Sequence, residues 1–102
     1  MEYRVDFEAL PWTRPMAGVR AKVLRQGARQ LRLVEYGCEM EPHWCDRGHY
    51  GCILAGEFEI RFADRTLLFR AGDGVHIPAG EAHRHMARAL SPTVRAFFVE
   101  DF

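Results

Sequence analysis

Apolar and polar residues alternate along most of this chain. In "VRAKV" (19–23), Val19, Ala21 and Val23 oppose Arg20 and Lys22; in "EFEIRF" (57–62), Phe58, Ile60 and Phe62 oppose Glu57, Glu59 and Arg61. A period of two with one apolar face predicts half-buried antiparallel strands. Further strands are expected in "QLRLVEY" (30–36), "HYGCILA" (49–55), "RTLLFR" (65–70), "GVHI" (74–77), "HRHMAR" (83–88) and "TVRAFFVE" (93–100). Turn-forming stretches separate them: "RQGAR", "CDRG", "ADR", "AGDG", "PAGEA" and "LSP". No segment carries a helical stripe. The predicted class is all-β, as a sandwich or small barrel.

Composition narrows the setting. A chain of 102 residues has room for one core and not two. At 48% hydrophobic and 27% charged it is built to fold, not to stay disordered. Fourteen basic and fourteen acidic residues cancel, so bulk charge predicts neither a nucleic-acid partner nor an anionic membrane. No run of about 18 apolar residues exists to span a bilayer. The start, "MEYRVDFEAL", carries Glu2, Asp6 and Glu8 and lacks an apolar stretch, so no secretory leader is expected. Three cysteines, Cys38, Cys45 and Cys52, form no recognisable disulfide framework. Free thiols and a cytoplasmic location are expected.

The chemistry concentrates in "PHWCDRGH" (42–49), where two histidines and a cysteine fall within seven positions. From Gly37, five residues lead to His43, one more to Cys45, three to His49 and six to Gly56. From Gly72, five lead to Pro78, then Gly80, then two more to His83. This register resembles the paired motifs of the cupin superfamily, G-x5-H-x-H-x3-E-x6-G and G-x5-P-x-G-x2-H-x3-N. Cys45 stands where the family has its second histidine, His49 where it has glutamate, and Ala87 where it has asparagine. The resemblance implies one cupin domain over 1–102, a β-barrel or jelly roll, with its motifs at 37–56 and 72–87.

Carried over position by position, it also implies metal ligands at His43, Cys45, His49 and His83. His43 and Cys45, two apart on a strand, would share a face. Gly48 gives a turn that would bring His49 alongside, whereas His83 must come from a distant strand. Three imidazoles and a thiolate carry the same single negative charge as the family's three imidazoles and a carboxylate. The softer anion favours a divalent transition metal, zinc first, with copper, iron or nickel as alternatives. Cys45 could instead be an apolar thiol beside three histidines. His85 should share the face of His83, either as a catalytic acid–base or as a hydrogen-bonded structural group. Gly51, in phase with His49, would leave room for a ligand. Cys38 and Cys52 read as small buried residues, Cys52 facing away from the metal. Trp44 reads as a core or dimer contact, and His76 as structural.

Two functions follow from the resemblance: a metalloenzyme acting on a small organic molecule (dioxygenase, isomerase or lyase), or a non-catalytic module holding a structural zinc or a small ligand. No helix-turn-helix is left over for DNA. Cupins commonly pair as homodimers through edge strands, for which "EYRVDF" and "VRAFFVEDF" are the candidates.

Overall fold

The alternating runs pair into two antiparallel sheets with their apolar faces together. A computed structural model describes residues 2–101 and, in them, ten strands: β1 (Thr13–Met16), β2 (Val19–Gln26), β3 (Arg29–Gly37), β4 (Trp44–Cys45), β5 (His49–Ala55), β6 (Glu57–Arg61), β7 (Thr66–Arg70), β8 (Gly74–Ile77), β9 (His85–Ala89) and β10 (Thr93–Asp101). The large sheet runs β1-β2-β3-β10-β5-β8 and the small one β4-β9-β6-β7. The result is a jelly-roll-like β sandwich. Two short 3-10 turns, Phe7–Ala9 and Glu81–His83, are the helical pieces among the described residues.

Strand parity decides which side chains meet. On β3 the even positions Val34 and Tyr36 turn inward, and on β10 so do Val94, Ala96 and Phe98, all buried. The small sheet answers with Phe58 and Ile60. Tyr36 of one sheet stacks on Phe58 of the other at 4.6 Å between ring centroids, joining the layers at the centre of the core. The small sheet has four strands against six, and the inner faces of β1 and β2 border a cavity of about 630 Å³.

Several expectations change here. β10 lies between β3 and β5 with both edges paired, and residues 2–6 form no strand. Among the described residues, which leave out Phe102, neither terminal run therefore offers a free edge for a partner; the edges belong to β1, β8, β4 and β7. β1 gave no alternation signal because all four of its residues, Pro15 among them, are exposed. β4 is only two residues long. β9 begins at His85 and not at His83.

Gly51 also has another purpose. It lies opposite Phe98, and a Cβ there would stand 1.8 Å from the Phe97 carbonyl oxygen. The missing side chain lets two backbones approach; it leaves no space for a ligand. Gly51→Ala should therefore push β5 from β10 and cost about 1–3 kcal/mol or more. That is read as a melting temperature lower by roughly 4–8 °C per kcal/mol, and an unchanged melt would refute the close approach.

On the outer face, Glu35 sits abreast of Arg20 on β2 and Arg95 on β10. Arg20 Nε donates to Oε1 at 2.7 Å and Arg95 Nε to Oε2 at 3.0 Å. Burial alone would raise this carboxyl, but the two guanidinium groups hold it below its ordinary 4.5. A depressed carboxyl stabilises the fold fully above the unfolded value and loses that contribution as pH falls through the folded one. Stability should thus decline below pH 4.5, and Glu35→Gln should flatten that decline in denaturant titrations taken from neutral pH to about pH 3.

Candidate metal centre

Three elements carry the site. β4 pairs with β9 so that Cys45 lies directly opposite His85, putting both side chains on one face of the small sheet. β5, across the sandwich, starts at His49. The connection through Asp46, Arg47 and Gly48 is pinned by the Gly80 N–H, which donates to the Asp46 carbonyl at 2.9 Å. Gly48 permits this approach, since a Cβ there would lie 2.9 Å from the Ala79 nitrogen. The ligand-capable atoms of Cys45, His49 and His85 all lie within 4.8 Å of one another.

Both imidazoles have one nitrogen committed elsewhere. His49 Nδ1 bonds Glu100 Oε2 at 2.5 Å, and His85 Nδ1 donates to the His83 carbonyl at 3.2 Å. Each ring is left with Nε2 for the shared centre. The rings stand edge to face, 5.0 Å between centroids. Behind His49, Glu100 is 3% exposed and also accepts from Gln30 Nε2 at 2.7 Å and from Arg32 Nε and Nη2 at 2.9 Å. Arg32 reaches on to the Tyr36 hydroxyl at 3.4 Å.

These contacts set the local charges. Burial would raise the Glu100 carboxyl, but hydrogen bonds from His49, Arg32 and Gln30 and the Arg32 charge hold it at about 2. Burial likewise works against the charged form of His49, yet Cys45 and Glu100 raise its pKa above the ordinary value. The Cys45 thiol is lowered, chiefly by its hydrogen bond with His49, against the opposing effect of burial. A thiolate-prone sulfur beside two ring nitrogens suits a borderline-soft cation. Donors around a tetrahedral zinc stand about 3.3–3.8 Å apart, and the three here lie within 4.8 Å of one another.

His43 and His83 stay outside this group. His43 is exposed on the cavity rim, its Nδ1 donating to the Glu41 carbonyl at 3.1 Å. The two-residue β4 stops short of it, so the parity that should align it with Cys45 does not apply. His83 is exposed at the end of the 3-10 turn Glu81–His83. Strand parity starts only at His85, so His83 offers its backbone carbonyl to the site and His85 turns inward. Trp44 is 41% exposed beneath the Arg84 guanidinium at 4.8 Å, at the cavity and not in the core. Cys38 is exposed, its thiol donating to the Ser91 carbonyl at 3.4 Å, and Cys52 is half-buried.

Sequence reasoning passed over Glu100, Gln30 and Arg32. The signal was present: Glu100 continues the inward row Val94, Ala96, Phe98, and Gln30 and Arg32 that of Val34 and Tyr36. A charge in phase with a core row must find a partner inside.

The chain belongs to the cupin domain family, whose signature (Cupin_2, cupin domain) matches residues 30–100. Among solved structures, it is similar to KdgF from Halomonas sp., at 18% identity and TM-score 0.75, covering 92% of this chain and 89% of that one. It is also similar to the polyketide cyclase RemF from Streptomyces resistomycificus, at 22% identity and TM-score 0.75, covering 99% and 80%. A third likeness, to FeII HppE, has 12% identity and TM-score 0.76, covering 94% and 58%. At these identities the likeness establishes the fold alone. No curated protein matches at a significant level. Among the described residues, no helix is long and apolar enough to cross a membrane.

Proposed function

We propose that Cys45, His49 and His85 hold a divalent transition metal, zinc first, in a cupin enzyme acting on a small organic molecule. The observation carrying this reading is that the three donors converge on the wall of an open cavity. Three protein ligands leave a coordination position for substrate, as catalytic zinc sites do, whereas structural sites are closed by four. Copper, iron and nickel remain alternatives for the same donor set.

A bound metal would supply Lewis acidity toward a substrate oxygen. The chain supplies orientation. Glu100 fixes the His49 ring and the His83 carbonyl fixes that of His85, each through Nδ1. With His85 engaged as a ligand, His43 on the rim becomes the residue placed to move a proton. The likenesses to a polyketide cyclase and to HppE in its FeII form are in keeping with this reading.

Elemental analysis of protein made without a histidine tag should find one metal ion per chain, removable by a strong chelator. Cobalt substitution then reads the open position, because added azide should change the visible spectrum. A metal-free preparation that takes up no zinc, cobalt, copper, iron or nickel would sink the metal reading. A cobalt spectrum indifferent to azide would leave a closed, structural ion in place of an enzyme's.

A further inference from the structure

The cavity beside the three donors is of ligand size, about 630 Å³. Its lining differs in character. Val19, Ala21 and Val23 of β2, with Met16 and Met40, make an apolar patch. Gln30 and Arg32 of the neighbouring β3 and Glu100 of β10 make a polar one. Glu100 is fully engaged, accepting from Gln30 and twice from Arg32 and bonded to His49. Arg32 is not: Nε and Nη2 are used, while Nη1 makes no hydrogen bond to the described residues. No buried side-chain nitrogen or oxygen among the described residues lacks a partner, so Nη1 is accessible, and Arg32 lines the cavity. Three arginines line it (Arg25, Arg32 and Arg47), against the carboxylates of Asp46 and Glu100 and the thiolate-prone Cys45.

We infer that the cavity takes a small carboxylate with an apolar body, its carboxylate anchored on Arg32 Nη1. The body lies against β2, Met16 and Met40. The anchor and the metal ligands share Glu100: Arg32 bonds both of its carboxylate oxygens, and His49 bonds Oε2 as well. The atoms next to the carboxylate are thereby held beside the Cys45–His49–His85 group. The chemical class follows from the two patches: the apolar one selects against polar acids such as succinate, and the Arg32 guanidinium selects against neutral analogues. In taking this cavity as the substrate pocket, the inference rests on the function proposed above.

The probes are hexanoate and 3-phenylpropanoate, their primary amides, and succinate. Binding is measured by calorimetry on metal-loaded and on chelator-treated protein. At least one of the two apolar acids should bind, its amide and succinate being weaker by roughly tenfold or more. The acid-over-amide preference should persist without metal, because it originates at Arg32. Arg32→Lys, which keeps a cation beside Glu100 but loses the guanidinium fork, should weaken the acid by roughly tenfold with metal content unchanged. Equal binding of acid and amide, no binding by either acid, or a preference seen only with metal present overturns the inference. Undiminished binding in Arg32→Lys does so too. If that variant fails to fold, the acid–amide comparison on the unaltered protein decides alone. Failure of the metal reading shows separately, as absent metal in the elemental analysis with the acid preference intact.

Discussion

Alanine at His85 should strip the protein of its metal, while alanine at His83 should leave the metal bound. His85 is 4% exposed, faces Cys45 across β4–β9, and lies with it and His49 inside a 4.8 Å group. Removing one donor of three should weaken binding by more than about 100-fold, beyond the 10–100-fold that outer partners typically cost. The His83 ring, by contrast, projects from an exposed turn, and only its backbone carbonyl touches the site. His83→Ala keeps that carbonyl. Competition with a chromophoric chelator separates the two variants, with Cys45→Ser and His49→Ala expected to behave like His85→Ala. Tight binding retained by His85→Ala, or lost equally in His83→Ala, would falsify the ligand set.

Glu100→Ala should be among the most destabilising single changes in the chain. It leaves Arg32, whose side chain is 16% exposed, without its carboxylate, and Gln30 without its acceptor. Breaking a buried ion pair from one side costs about 3–5 kcal/mol, because the remaining charge stays desolvated. For a domain of this size the whole folding free energy is about 5–15 kcal/mol. Glu100→Gln keeps the shape and one acceptor, so its larger effect should fall on the metal through the loosened His49 ring. Removing both charges together, as Arg32→Met with Glu100→Leu, should recover much of the loss. Urea unfolding of the four proteins tests this. A Glu100→Ala variant as stable as the parent would mean the buried array contributes nothing to folding.

Much of the fold was legible because burial writes a period of two into a strand. Val19, Ala21 and Val23, or Phe58 and Ile60, announce an inward face without any knowledge of their partners. β1 and β4 escaped for the same reason: four exposed residues and a two-residue bridge carry no such period. The cupin register was legible too, since its glycines Gly56, Gly72 and Gly80 take positive φ and so mark fixed positions along the chain.

The sequence by itself determined the all-β class and the family. Only the tertiary structure decided which histidine lies beside Cys45 and His49. Spacing names His83, but a side chain's direction depends on where its strand begins, and β9 begins two residues later. It likewise decided that Glu100, Gln30 and Arg32 stand behind His49. Their chain positions are up to 70 residues apart, and only the pairing of β10 with β3 and β5 brings them to one point. Local periodicity reports which face a residue occupies; what lies opposite is set by long-range strand pairing, which no local pattern encodes.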